Sequence, residues 1–548
     1  MTRVDPGRAG ANARPMRSVC FVVAFGTMIV AGCGNDAPSP DSPADAARVG
    51  REIIGRAIAE AGSISELGAN GFLIAGTGTI DERAEGQAFV PGEPAPGPFR
   101  ERLVFDFAQQ RFAREYREDR YDGTFEHLSE IHTSDSMLIT VVHSHGFAIP
   151  TREPQNARAR QALLRRLPHA LLAEVSRDGA TPRWLGTENG TARVAALLET
   201  GTPVTLAFAE TDGLLRALTY DTILPALGRI SLSWTWEDWR IIDGFGRFPF
   251  RYAASTGDYS WLDVFVDSVA AAENADFDVP ARVRTVPIRI DSATTTRTRP
   301  IAFTRFANGV FTVANVRAGF TPIVIERSDH VVAVDAPASF PLLGAIPVAE
   351  TDPGPNPSWV SERFADAITH QFPNKPVRFL ILTHAHHDHA GGVRAFVALG
   401  ATVIGPATIR PEVERILQLP ADAMHDRLAA SPQPLRFLEV NDSLLLDDSR
   451  QPIRLLDIRP NPHSDGLLAV HLTSPRILFV SDLVTPASLD VYPRAAHAAL
   501  DFAFLRWFDA TALAEVRILT MHGTGELTPE HVARLRSLAA KRDSAASG

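Results

Sequence analysis

The sequence predicts an α+β protein in two unlike parts, a β-rich antiparallel N-terminal domain followed by a layered domain of mixed sheets flanked by helices. Three observations carry this. At 548 residues the chain exceeds the size at which a single hydrophobic core keeps growing, so more than one domain is expected. Residues from about 51 to 295 open with a helical pattern and then read as strands separated by Gly, Asp and Pro turns. From about Arg299 strand pairs give way to alternating strands and helices, the order expected of sheets covered by helices. With 45% apolar and 22% charged residues, the composition is that of a chain able to pack such cores.

The first 33 residues differ from the rest. Arg3, Arg8, Arg14 and Arg17 precede an apolar run of 12 residues, Val19 to Val30, which leads into Ala31-Gly32-Cys33. A basic start, a short apolar run and small residues before a cleavage point make a secretory signal over residues 1–32, and 12 residues fall short of the roughly 20 a permanent membrane helix needs. The segment before Cys33 resembles a bacterial lipoprotein box, which implies acylation of Cys33 as the mature N-terminus; an ordinary signal cut nearby or an uncleaved anchor is the alternative. The only other cysteine, Cys20, lies inside the apolar run, so neither a disulfide nor a thiolate metal ligand is available to the exported part. Removing the signal takes four Arg and Asp5 with it, and the formal charge falls from −10 to −13. That balance argues against nucleic acid as a partner. The expected location is the bacterial cell envelope, lipid-anchored, with Gly34 after the cysteine favouring the outer membrane facing the periplasm.

Residues 33–50, rich in Pro, Ser, Asp and Ala, are expected to form a flexible tether. The N-terminal domain then spans 51–295: a helix over Arg51 to Ala61, strands at Gly71 to Ile80, Arg102 to Phe107, Arg111 to Tyr116, Ser136 to Val142, Val204 to Ala209, Leu214 to Asp221 and Arg229 to Trp236, and a helix over Ala157 to Val175. This succession resembles the half-open sheet of periplasmic lipoprotein-carrier proteins. Trp234 and Trp236 alternate along one strand face and, with Trp239, either line a groove for an apolar ligand or form the buried face of the sheet. His143 and His145 share a strand face as well, but a metal site there needs a third ligand that the local sequence does not offer.

In the C-terminal domain, 296–548, strands are expected at Ile301 to Phe306, Gly309 to Val313, Pro322 to Glu326, Val331 to Val334, Val377 to Leu382, Ile453 to Ile458, Leu467 to Leu472, Ile477 to Val480 and Val516 to Leu519. Helices fit Ser358 to His370, Gly392 to Leu399, Pro411 to Leu417, His497 to Phe508 and Thr528 to Ala540.

The chemistry concentrates in Thr383-His384-Ala385-His386-His387-Asp388-His389-Ala390-Gly391-Gly392, which follows a buried-strand run and precedes a helix. In an extended segment His384 and His386 point the same way and can grip one ion together. After the turn, Asp388 and His389 project toward a second position, and Gly391 and Gly392 let the helix start close to the strand end. Further polar residues stand at or just beyond the ends of apolar runs: Asp335 after Val331 to Val334, His463 a short loop after Ile453 to Ile458, Asp482 after Ile477 to Val480 and one Ser, and His522 after Val516 to Leu519. Ligands at strand ends converge when the strands share a sheet edge. Imidazole and carboxylate suit zinc when thiolate is absent.

These motifs, in this order, resemble those of the metallo-β-lactamase superfamily over about Arg299 to the C-terminus. The resemblance implies an αββα sandwich with two metal ions, expected to be zinc, at one edge. It implies one ion on His384, His386 and His463, the other on Asp388, His389 and His522, and Asp482 bridging both. Asp335 matches the family's buried Asp, which supports the ligand loop without binding metal; His387 holds the variable position. Asp388 and Asp482 would also position a metal-bound hydroxide as the nucleophile.

The bridging Asp482 resembles the sites of glyoxalase II, lactonases, alkylsulfatases and phosphodiesterases more than those of true β-lactamases, which generally lack a bridging carboxylate there and two of whose three groups use a cysteine ligand that this chain cannot supply. Leu483-Val484-Thr485-Pro486 replaces the segment that follows the bridging Asp in glyoxalase II. The expected function is an exported, lipid-anchored dizinc hydrolase of a small-molecule ester, thioester or lactone. Alternatives are β-lactam, sulfate-ester or phosphodiester hydrolysis at the same site, a mononuclear iron oxygenase, or a periplasmic carrier of an apolar ligand whose C-terminal domain is non-catalytic. Tyr492, ten residues beyond Asp482, is a candidate proton donor.

Overall fold

The computed structural model describes residues 42–546 apart from 63–70, 82–95, 144–145, 153, 225–227, 257–258, 286–298, 318, 340, 343–345, 348, 351–354, 448–450, 512 and 514. The signal, Cys33, the tether up to residue 41, His145 and the expected boundary at 295/296 lie outside the described residues.

The first helix, Pro43–Ala61, starts eight residues before the expected Arg51 and takes in the second half of the expected tether. Its start is set chemically: the Ser42 hydroxyl accepts from the Asp45 amide at 3.2 Å, and Pro43 occupies the first turn, where no amide hydrogen is needed. Ala46, Gly50, Ile54, Ala57 and Ala61 form its buried stripe. At Gly50 a Cβ would come within 3.0 Å of the Arg183 amide, so glycine lets the helix lie directly on strand Arg183–Glu188.

That helix covers part of a 14-stranded sheet. From one edge to the other the strands are Arg284–Thr285, Phe147–Arg152, Met137–Val142, Phe125–His132, Arg111–Asp119, Gly97–Asp106, Phe72–Ile80, Tyr259–Ala271, Gly246–Thr256, Gly228–Ile242, Leu215–Leu224, Pro203–Ala209, Thr191–Leu197 and Arg183–Glu188. Every pairing is antiparallel except the parallel edge contact of 284–285 with 147–152. The helix expected over Ala157 to Val175 is two helices, Pro154–Leu164 and Pro168–Val175. Pro168 is the cause, because its ring would clash with the carbonyl of Leu164 in a continuous helix.

Trp234 and Trp236 are buried within one apolar cluster built from the sheet face and these helices. Trp234 meets Trp261 edge-on at 5.9 Å, and the Trp236 indole donates to the Arg166 carbonyl at 3.1 Å. Both rings are 0% exposed, which leaves no solvent-sized gap against them. Of the two expectations for this pair, the structure corrects the open groove to packed core.

The C-terminal domain has two facing sheets. The first runs Ala302–Ala307, Val310–Ala314, Ile323–Glu326, Val331–Val334, Val377–Ile381, Thr402–Pro406, Phe437–Val440; the second runs Ser443–Leu446, Ile453–Asp457, Leu468–Leu472, Ile477–Phe479, Arg517–Leu519, Glu526–Leu527. Alternation divides each strand between two apolar layers. Val332, Val334, Ile381, Ile477 and Phe479 fill the space between the sheets. Val331, Ala333 and Leu380 instead face helices Trp359–Gln371, Val393–Ala398 and Arg410–Leu417, while Leu478 and Ile518 face helices Ala498–Ala510 and Pro529–Ala546. Helix, sheet, sheet, helix is the resulting order, the αββα sandwich. Among the described residues no helix is long and apolar enough to cross a membrane.

Candidate metal centre

Parallel pairing brings strand ends together. Val331–Val334 runs parallel to Val377–Ile381 in one sheet, and Ile477–Phe479 runs parallel to Arg517–Leu519 in the other. Asp335, the Thr383 to His389 segment, Asp482 and His522 therefore leave their sheets at the same edge. The amide of Leu468 donating to the Thr383 carbonyl at 2.9 Å ties the two sheets together there.

Gly391 and Gly392 are needed for closeness, and neither has a positive φ. A Cβ on Gly391 would meet the His387 carbonyl oxygen at 2.4 Å, and one on Gly392 would meet the Ser361 hydroxyl at 2.1 Å. Larger residues would push the helix off the histidine segment.

All seven residues expected as ligands meet at this edge, in two groups that share Asp482. His384, His386, His463 and Asp482 form the first, and Asp388, His389, Asp482 and His522 the second; in each, one donor atom per residue lies within 4.8 Å of the others, so each could hold a metal ion. The carboxylate of Asp482 is the hub. Its Oδ2 stands 3.1 Å from His389 Nε2, 3.1 Å from His522 Nε2, 3.6 Å from His463 Nε2 and 3.9 Å from His384 Nε2.

The donor set fits a metal on its own chemistry. His384 and His463 each have Nδ1 committed, to the Thr383 hydroxyl at 3.0 Å and to Asp122 at 3.2 Å, while their Nε2 atoms are buried without a hydrogen-bond partner. A buried, unpaired imidazole nitrogen costs free energy unless something accepts its lone pair. Burial, reinforced by neighbouring histidines, holds His386 down to about 3 and His384 well below the usual range, so both present the neutral, ligating form. In the second group burial opposes charge on His389, but Asp482, Asp388 and Asp335 outweigh it and raise its pKa well above the usual value. Asp482 in turn is held well below the carboxylate range, against burial, chiefly by His389 and His522.

Asp335 supports the second group. It is fully buried, accepts from the Thr383 amide at 2.7 Å and its hydroxyl at 2.9 Å, and takes a hydrogen bond from His389 Nδ1 at 2.9 Å. That leaves His389 Nε2 to face the site. Asp335 does so from a left-handed backbone, φ 61°, which Asp tolerates better than most residues. His387 stays out of the cluster: it is buried, and its Nε2 donates to the Ser339 carbonyl.

Tyr492 does not reach the centre, and the proton-donor expectation is corrected. Its side chain is fully buried, the hydroxyl donates to Asp501 at 2.9 Å, the ring packs on His531, and burial beside Asp501 pushes its pKa up. The chain after Asp482 runs beneath helix Ala498–Ala510, so ten residues of separation carry Tyr492 into the core.

Sequence reasoning missed two residues from the other end of the chain. Tyr121 and Asp122 sit at the tip of the hairpin formed by strands Arg111–Asp119 and Phe125–His132. The Asp122 carboxylate meets His463 Nδ1, and the Tyr121 hydroxyl donates to the His463 carbonyl while lying 3.5 Å from His386 Nε2. An Asp-Gly-Thr turn after an exposed-looking Tyr is the only local signal. Its partner is 341 residues away.

A third group, Glu115, His127 and His143, supplies the extra ligands that the neighbourhood of His143 lacked in sequence. The His127 and His143 rings are stacked at 4.1 Å and 15°, and both Nε2 atoms face the Glu115 Oε1, at 2.9 and 3.9 Å, so this group too could hold a metal ion. His143 Nε2 is already met by the Ser129 hydroxyl at 2.7 Å.

Residues 351–526 match the family model described as metallo-beta-lactamase superfamily. No curated protein matches the chain. Solved structures that align with it include the metallo-beta-lactamase FIM-1 from Pseudomonas aeruginosa in its mono-zinc form, at 18% identity over 44% of this chain and 96% of that one, with a TM-score of 0.29. A metallo-beta-lactamase from Hirschia baltica aligns at 18% identity over 43% and 96%, TM-score 0.29, and one from Erythrobacter litoralis at 15% identity over 44% and 97%, TM-score 0.29. At those values the alignments add no argument about chemistry. The family match over residues 351–526 and the sandwich around the shared Asp482 lead to one conclusion: the C-terminal part of this chain holds a domain of the metallo-beta-lactamase fold.

Proposed function

We propose that the protein is a dizinc hydrolase of an ester, thioester or lactone, exported and anchored through a lipid on Cys33. The observation that carries the reading is the placement of Asp482 Oδ2 between four histidine nitrogens at 3.1 to 3.9 Å, which joins two ligand groups through one carboxylate. Two ions held there would supply a water activated near neutral pH and positive charge for a developing oxyanion.

The chain's own contribution is orientation and charge. Asp388 and Asp482 offset part of the charge such a pair would bring, and Asp335 fixes the ring of His389. The first group is buried throughout, whereas Asp388 and His522 are part-exposed, so substrate would approach from the side of the second group. Phe320, packed edge-on against His522 at 4.5 Å, walls that side with an apolar surface.

Metal analysis of the purified exported form, together with an activity screen across ester, thioester, lactone, β-lactam, sulfate-ester and phosphodiester substrates, tests the reading. Two zinc per chain with turnover of an acyl substrate is the expected result. One iron per chain, or turnover confined to a phosphodiester or sulfate ester, overturns it. Anchoring is tested separately by Cys33→Ser, which should release the protein from the membrane fraction.

A further inference from the structure

The N-terminal hairpin tip lies against the first ligand group, and the nature of its contacts is specific. Asp122 is 6% exposed and fully engaged: one oxygen accepts from the Thr124 amide at 2.9 Å and hydroxyl at 2.6 Å, the other from His463 Nδ1 at 3.2 Å. Tyr121 holds the backbone of the same histidine through its carbonyl. The His463 loop is also braced from within, because the Asn461 side-chain oxygen accepts from the amides of His463 and Ser464, each at 3.0 Å. The tip itself is wedged in place. Gly123 has φ +79°, and a Cβ there would come within 3.0 Å of the Ala499 Cβ on helix Ala498–Ala510. The Thr124 contacts belong to the turn itself, whereas a turn that merely capped two strands would need neither His463 nor the fit against Ala499.

An imidazole bound to a metal through one nitrogen is normally held in tautomer and direction by an acceptor on the other, and loss of that acceptor typically weakens metal binding about 10- to 100-fold. His389 has such an acceptor, Asp335, from within the C-terminal domain. For His463 the acceptor comes from the N-terminal sheet. We infer that the Tyr121–Asp122 turn is a working part of the metal centre, Asp122 being the positioning residue that fixes His463 with Nε2 toward the first ligand group and Tyr121 the clamp on its backbone. The β-rich domain thereby completes the site, and the C-terminal domain alone holds the first group incompletely. This inference rests on the two-metal reading above.

The coupling has a thermodynamic consequence. If docking of the hairpin favours binding at the first group, then zinc at that group favours docking to the same extent. Zinc should therefore protect the 111–132 amides from hydrogen exchange, and a variant that uncouples Asp122 from His463 should lose most of that protection.

The test uses the full exported chain and zinc alone as the probe, titrated against a competing chromogenic chelator. Asp122→Asn and Tyr121→Phe keep side-chain volume, and the thermal midpoint of the metal-free proteins monitors folding. Asp122→Asn should weaken one of two zinc equivalents about 10- to 100-fold, leave the other near wild type, and alter the visible spectrum of the cobalt-substituted protein. Tyr121→Phe should show the same selectivity with a smaller loss. Wild-type affinity for both equivalents in Asp122→Asn overturns the inference, as does equal weakening of both accompanied by a lowered metal-free midpoint, which would mark a purely structural role. His384→Ala serves as the reference for the underlying reading: if it retains both equivalents, the two-metal site itself is wrong, whatever Asp122 does.

Discussion

The two ligand groups share a carboxylate, yet they are built differently. In the first, three histidines and Asp482 are all buried, and the outer nitrogen of His463 is held by an aspartate that arrives from the N-terminal sheet. In the second, Asp388 and His522 are part-exposed, and the outer nitrogen of His389 is held by Asp335, at the end of the strand that pairs with the histidine-bearing one. The second group thus gets its orientation from the sandwich itself, while the first depends on tertiary docking. Burial with three histidine donors suits tight holding, whereas partial exposure with an extra carboxylate leaves the second group open to solvent.

The largest effect should come from the residue that both groups share. Asp482→Asn removes the joining charge and should lower kcat/KM by about 10³-fold or more, with loss of metal from both groups measured by elemental analysis. If such a variant keeps two ions and near-normal turnover, the groups do not function as a pair. Next come the ligands belonging to one group. His463→Ala and His522→Ala should each leave about one ion per chain, and the ion that remains should sit on opposite sides of the comparison. Cobalt spectra of the two variants that coincide would contradict the division into two groups.

Orientation without direct binding is the next level down. Asp335→Asn should weaken the second group about 10- to 100-fold in zinc affinity while leaving the first near wild type, in a chelator competition. Its fully buried side chain also receives the Thr383 amide and hydroxyl, so some loss of stability will accompany it. The sharper measurement is the ratio of the two affinities. An unchanged ratio would mean that Asp335 only braces the loop.

How much of this was legible in the sequence follows from where each residue stands. The seven ligands could be read because six end apolar strand runs or lie in one compact motif, and parallel strands place their ends at a common edge. His463 needed a loop but kept its place in the order. Asp122 could not be read, because its role depends on a docking partner 341 residues away and its own segment looks like any hairpin turn. Strand Phe125–His132 was obscured by Glu126, His127 and Glu130, whose charges break the apolar alternation that marks a strand. Tyr492 misled for the opposite reason: nearness along the chain to Asp482 suggested nearness in space, and the intervening turn under helix Ala498–Ala510 removes it. At Pro168 the residue that splits the helix was visible, but the apolar periodicity around it ran on through the break.

The smallest expected effect isolates stability from the site, and it comes from the Tyr492–Asp501 pair behind the second sheet. Asp501 is fully buried, has one oxygen on the Tyr492 hydroxyl and the other without a partner, and burial pushes its pKa up from 3.8 to about 7 against the pull of Tyr492 and Arg494. The folded state therefore holds a proton that the unfolded chain has given up. Stability contributed by this group is complete below about pH 4, declines as pH rises, and is lost once pH passes about 7. Asn cannot ionise and keeps the shape, so Asp501→Asn should melt close to wild type at pH 4 to 5 and higher than wild type at pH 8, by about 2 °C or more for the metal-free protein. Activity per bound metal should not change, since neither residue meets a ligand. Melting curves for the two proteins that stay parallel from pH 5 to 8 would show that Asp501 is ionised in the fold. A drop in turnover at constant metal content would bring Tyr492 back toward the site and weaken the contrast between the two groups, because the second would then depend on a residue from outside its own sandwich edge.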